Sequence, residues 1–132
     1  MGRGEALTSA NPRRLLVVDD EPLVLRSVQR LLGRTYTVVL AASAEEALAL
    51  LERGESIDAV FTDLSLPGMD GAELARRIAE RWPSLATKTV FMSGGATSEA
   101  HHELLARSDV RRIDKPFDLA TLRQLVSELL GP

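Results

Sequence analysis

Cysteine is absent from the 132 residues, which excludes disulfides, thiolate zinc sites and thiol nucleophiles. No apolar run approaches the roughly 18 residues that a membrane-spanning helix requires, so no membrane span is expected. Positive charge is not in excess. Sixteen Lys and Arg against 19 Asp and Glu leave a net charge of -3, without the basic stripe of a phosphate-backbone binder, and direct nucleic-acid binding is not expected. The N-terminus lacks the apolar core of a signal peptide, and Met1-Gly2 fails the myristoylation pattern because Ala6 stands where Ser or Thr is needed. There is no Gly-x-Gly-x-x-Gly, Walker loop or Gly-x-Ser-x-Gly, which leaves nucleotide-dependent and serine-hydrolase chemistry unsupported. These absences fit a cytoplasmic, single-domain protein.

What is present alternates. Short apolar runs at 15–18, 37–41, 57–62, 89–92 and 110–113 are separated by helix-like segments, and five βα units imply a parallel sheet. The run at 57–62 is almost continuously apolar, as expected of a strand covered on both faces, and belongs in mid-sheet. Helix signals frame the runs. Pro22 suits a first turn, Gly33 a stop, Ser43-Ala44-Glu45-Glu46 a capping box repeated by Asp70 and Glu73, and Asp118 a cap for the last helix. Pro83 ends the third helix after Trp82. Leu119, Leu122, Leu125, Val126, Leu129 and Leu130 mark one stripe at helical spacing. Residues 1–12 read as a loose tail and 13–132 as one folded unit.

The ends of these runs carry the chemistry. The first run ends in Asp19-Asp20, and the third in Asp63 and the loop Leu64-Ser65-Leu66-Pro67-Gly68-Met69-Asp70-Gly71. The fourth ends in Ser93-Gly94-Gly95, and the fifth runs into Asp114-Lys115-Pro116-Phe117. In one parallel sheet, three acids, a hydroxyl and a lysine would converge at the carboxyl edge, where open α/β sheets bind ligands. Crowded carboxylates repel one another unless solvated or bound to a cation, and a hard ion such as Mg²⁺ takes one or two carboxylates plus phosphate oxygens. Aspartate is also a phosphoryl acceptor, and phosphoryl transfer needs mainly positioning and neutralised oxygens. Asp63 is then the candidate nucleophile, with Ser93 and Lys115 contacting the phosphoryl group. Lysine is scarce, only Lys88 and Lys115 among the 16 cationic residues, so its place at a strand end is informative. Helix capping is the competing reading of Asp19-Asp20.

Asp19-Asp20-Glu21-Pro22, Asp63 with Leu66-Pro67-Gly68-Met69-Asp70-Gly71, Ser93, and Lys115-Pro116-Phe117 together resemble a CheY-like response-regulator receiver domain over residues 14–130. The resemblance implies a flavodoxin-like (βα)5 three-layer α/β fold with strand order 2-1-3-4-5, and phosphorylation of Asp63 by the phosphohistidine of a histidine kinase or phosphotransfer protein. It implies Mg²⁺ held by Asp20, Asp63 and the Ser65 carbonyl, with Asp19 acting through water, and a cis Lys115-Pro116 bond. The module would self-catalyse transfer and dephosphorylation without being a conventional turnover enzyme, and would be a monomer or weak homodimer. Arg112 occupies the position, three before Lys115, where the family carries an aromatic switch residue, and guanidinium resists burial without a partner. Met92-Ser93-Gly94-Gly95 resembles receivers at the C-terminus of hybrid sensor histidine kinases.

Three alternatives compete with this reading: a Mg²⁺-dependent aspartyl-phosphate phosphatase, a flavin binder and a phosphorylation-independent interaction module. The phosphatase would need an acid two residues after its nucleophile, where Ser65 stands after Asp63. The flavin binder would want Ser, Thr and Gly donors where the loop after Val18 is acidic. His101-His102 reads as a solvated helix face, since adjacent histidines point about 100° apart on a helix. The pairs Arg13-Arg14, Arg76-Arg77 and Arg111-Arg112 read as surface.

Overall fold

The computed structural model describes residues 12–94 and 98–131, so the expected tail at 1–12 falls almost wholly outside the described residues. Five parallel strands form one sheet: β1 (Arg14–Val18), β2 (Thr37–Ala41), β3 (Ala59–Asp63), β4 (Thr89–Ser93) and β5 (Arg111–Asp114), in the order β2-β1-β3-β4-β5. This is the flavodoxin-like order. The helices are α1 (Pro22–Leu32), α2 (Ala44–Glu52), α3 (Gly71–Arg81), α4 (Pro83–Ala86), α5 (Glu99–Leu105) and α6 (Leu119–Leu130). The strand ends at 57–62 and 110–113 shift by a residue or more, and α4 is a single extra turn opened by Pro83, the residue expected only to stop α3.

Alternation along β1 divides the core in two. Leu15 and Val17 pack with Phe61, Val90 and Met92 against Val28 and Leu32 of α1 and Leu122, Val126 and Leu129 of α6. Leu16 and Val18 pack with Val60 against Ala44, Ala47 and Leu51 of α2 and Leu74 and Ile78 of α3. Every residue of β3 is buried, as its central place requires. Truncating one such Leu or Ile to Ala typically costs about 2–5 kcal/mol, so these two layers carry most of the stability. The ladder on α3, where Arg76 meets Glu73 and Glu80 and Arg77 meets Glu73, is solvent-exposed and screened. Hydrogen bonds from Arg76 and Arg77 hold the Glu73 carboxyl down to about 2.

Capping follows the sequence with two modifications. Ser43, Asp70 and Asp118 each accept the backbone N–H three residues on. Glu46 reaches back to the Ala42 N–H, one residue outside a standard capping box, and Glu73 turns to the arginines instead. At the amino edge of the sheet Arg14 is not simple surface: its backbone N–H donates to Asp58 at 2.7 Å and its guanidinium to Ser56 and Glu55. The ammonium of Lys88 donates to the Leu129 carbonyl at 2.6 Å, capping the last turn of α6. Replacing Lys88 with Met should therefore cost about 1–2 kcal/mol in chemical denaturation and speed amide exchange in the last turn of α6 first; an unchanged midpoint would refute the cap.

Candidate functional site

Strand register brings the predicted residues together. β1 and β4 flank β3, and β4 pairs with β5 so that Ser93 lies opposite Asp114. The carboxyl ends of β1, β3 and β4 and the start of the β5–α6 loop thus share one edge. The Lys115 N–H donates to the Ser93 carbonyl at 2.7 Å, which continues the β4–β5 pairing one residue past the strand, and the following Lys115-Pro116 bond is cis. A cleft of about 400 Å³ there is lined by Asp20, Glu21, Asp63, Leu64, Ser65, Ser93, Gly94 and Lys115.

Two of the carboxylates are buried and one is not. Asp19 has no exposed surface and Asp63 is buried, whereas Asp20 faces solvent. Oxygens of all three lie within 4.8 Å of one another. The Lys115 ammonium sits 2.7 Å from Asp19 Oδ2, 3.3 Å from Asp63 Oδ2 and 3.6 Å from Glu21 Oε1. Asp19 Oδ1 accepts the Glu21 N–H at 2.9 Å, and Asp63 Oδ1 accepts the Ser65 N–H at 3.2 Å. The capping reading of Asp19-Asp20 fails: Glu21 is the N-cap of α1 and its side chain makes no capping bond. Glu21 is thus the third carboxylate around the lysine, after Asp19 and Asp63.

The electrostatics follow from this packing. Burial, then the charge of Asp19, pushes the Asp63 carboxyl above its ordinary range, against the opposing pull of Lys115 and the Ser65 N–H. Burial alone would lower the Lys115 ammonium, but the hydrogen bond to Asp19 and the charges of Asp63 and Asp19 outweigh it and raise the net value. A lysine fixed cationic between two buried acids neutralises part of the negative charge and leaves the rest unpaired. The three carboxylates form a hard oxygen donor set suited to Mg²⁺.

The loop after Asp63 is shaped by two glycines. Gly68 has φ +72°, a left-handed conformation that side chains rarely adopt. A Cβ on Gly71 would stand 2.1 Å from the Asp63 carbonyl oxygen, so the start of α3 lies directly on the backbone of β3. The Gly71 N–H also donates to the Leu64 carbonyl at 2.9 Å.

Three predicted side chains lie apart from this cluster or behave differently. Arg112 stays at the surface, half exposed and 3.7 Å from Asp114, so the guanidinium avoids burial by an ion pair rather than turning inward. Arg111 likewise reaches Glu128 at 3.7 Å. His101 corrects the expectation of a solvated histidine pair: it is 8% exposed, with Nε2 3.2 Å from Asp70 Oδ2, while His102 is exposed. Asp70 supplies the reason, because it is brought across from the β3–α3 loop, 31 residues away in the chain.

A raised Asp63 carboxyl contributes stability below the ordinary carboxylate range and loses that contribution as pH rises through its folded value. At neutral pH the ionised group therefore strains the fold. Asp63→Asn should raise the melting temperature by a few degrees at neutral pH, with the gap closing towards about pH 4, and should reduce the gain from millimolar Mg²⁺. Thermal melts across that range check it, and a variant that melts lower than the wild type at neutral pH would contradict it.

Comparison with known proteins agrees with the geometry. The family profile described as response regulator receiver domain matches residues 15–127. The chain is 37% identical over 117 residues to the sensor kinase CckA of Brucella abortus, covering 88% of this chain and 12% of that protein. It is 35% identical to the virulence sensor protein BvgS of Bordetella pertussis, covering 96% of this chain and 11% of that protein. It is 40% identical to the transcriptional regulatory protein GlrR of Escherichia coli, covering 92% of this chain and 27% of that protein. This chain thus spans only a small part of these relatives. A solved CheY-like receiver domain from Methanospirillum hungatei superposes with a TM-score of 0.78 at 29% identity, covering 89% of this chain and 93% of the other. No described helix is long and apolar enough to cross a membrane. The chain belongs to the response regulator receiver domain family, whose members serve two-component phosphorelay signalling.

Proposed function

We propose that Asp63 is the phosphoryl acceptor of this domain. The observation that carries the reading is Lys115, whose ammonium lies within 3.3 Å of Asp63 and 2.7 Å of Asp19 at the mouth of an acidic cleft. In the step proposed, an Asp63 carboxylate oxygen attacks the phosphorus of a donor phosphohistidine. The P–N bond breaks, its electron pair leaves with the donor imidazole, and an acyl phosphate forms. Lys115 is already placed beside the oxygen that reacts, and the Ser93 hydroxyl belongs to the same cleft wall. Asp19, Asp20, Asp63 and the Ser65 carbonyl would hold Mg²⁺, with Asp19 acting through a bound water. Bound there, the ion supplies positive charge to the equatorial phosphoryl oxygens.

The donor is a histidine kinase or phosphotransfer protein, and its contact surface lies beside the cleft. Leu23, at the start of α1, is 71% exposed and borders an apolar groove with Val24, Ser27, Gly94, Lys115, Pro116 and Phe117. An exposed leucine next to an acidic site suits a protein donor better than a small molecule. The downstream effector is a partner or attached domain, and the site lies in the cytoplasm with the donor.

Incubation with acetyl phosphate and Mg²⁺ should add one hydroxylamine-labile phosphoryl group, seen by intact mass, and Asp63→Asn should abolish it. A stable adduct, or one retained by that variant, would overturn the assignment. Leu23→Glu should slow transfer from a phosphorylated protein donor about tenfold, equivalent to ~1.4 kcal/mol of lost transition-state binding, while leaving acetyl phosphate labelling unchanged. Equal loss with both donors would show that Leu23 supports the site and does not dock the partner.

A further inference from the structure

Helix α5 is anchored in an unusual way. The other helices of comparable or greater length bury leucine, isoleucine, valine or alanine against the sheet, whereas the one buried residue of α5 is His101. Leu104 and Leu105 are only partly buried. The imidazole Nε2 meets Asp70 Oδ2 at 3.2 Å, and the other oxygen of that carboxylate accepts the Glu73 N–H and caps α3. Nδ1 is buried without a hydrogen-bond partner, so the ring's polar anchor is Nε2, which donates to the acceptor-only carboxylate of Asp70.

The two ends of this contact have different attachments. Asp70 stands one residue before Gly71, which lies against the Asp63 backbone, so it is held firmly to the acceptor strand. His101 belongs to the helix that follows β4, whose last residue is Ser93. The His101–Asp70 contact therefore joins the segment that follows Asp63 to the helix that follows Ser93. An apolar anchor would hold α5 whatever the position of the β3–α3 loop, because apolar burial has no directional partner. A hydrogen bond of 3.2 Å holds only while both loops keep their present spacing.

We propose that His101 is a positioning residue that straps α5 to the β3–α3 loop through Asp70, and that this strap sets how firmly α5 docks. Helix α5 forms the wall of the cleft that Arg112, Asp114 and His102 line with Ser93, and of the groove where Leu104 faces Ala72, Ala75 and Phe91. Both surfaces change shape when α5 shifts. The further step, that a phosphoryl group on Asp63 loosens or resets the strap, rests on the acceptor assignment made above.

Amide exchange measured on the intact chain separates the two claims. Asp70→Ser keeps a capping hydroxyl for α3 but cannot reach the imidazole, and His101→Leu keeps bulk without the donor. Each should speed exchange at amides 102–105 about fivefold or more, with β1 and β3 unchanged. The double variant should add little to either single change, and His101→Gln, which keeps an N–H near the Nε2 position, should restore most of the protection. Unchanged exchange in α5, or equal acceleration throughout the sheet, would overturn the strap. Acetyl phosphate with Mg²⁺ should then alter α5 exchange in the wild type and much less in His101→Leu, while intact mass shows one phosphoryl group on both. An equal response in both would remove the strap from the signalling route; absence of phosphoryl incorporation would instead count against Asp63 as acceptor and leave the first comparison standing.

Discussion

Two carboxylates packed side by side below the surface need a fixed cation, and Lys115 is that cation. Removing its charge would leave Asp19, fully enclosed, next to Asp63 with backbone N–H donors but no ammonium to offset their repulsion. The arrangement is only partly balanced. One ammonium serves three acids at close range, with Asp20 added at the rim. That surplus of negative charge favours a divalent cation at the cleft.

The sheet was legible because both of its faces are covered. Helices on either side make the strands short and largely apolar, and β3, in the centre, is buried along its whole length. The site was legible for a related reason. A buried strand has no call for acids at its end unless they act, so Asp19-Asp20 and Asp63 stood out, and a lysine in a chain with only two stood out further. Capping residues were readable because each satisfies a local backbone donor three positions away.

What sequence alone did not show depends on pairs distant in the chain. His101 looked like half of an exposed histidine pair, because nothing near it predicts that Asp70 will come alongside. The available clue was negative: Glu99–Leu105 lacks an apolar stripe, so some other residue had to hold the helix. Lys88 gave no sign of its contact with Leu129, 41 residues on, and Glu21 gave none of its approach to Lys115. Helix α4 is four residues long, too short for any periodicity to register.

The contact between Gly71 and the Asp63 carbonyl has a mechanical consequence. With no room for even a methyl group between them, the end of β3 and the first turn of α3 are held as one stiff unit. Displacement generated at the carboxylate has little outlet through that joint. A shift of the strand end would therefore carry the first turn of α3, and Asp70 just before it, along with it.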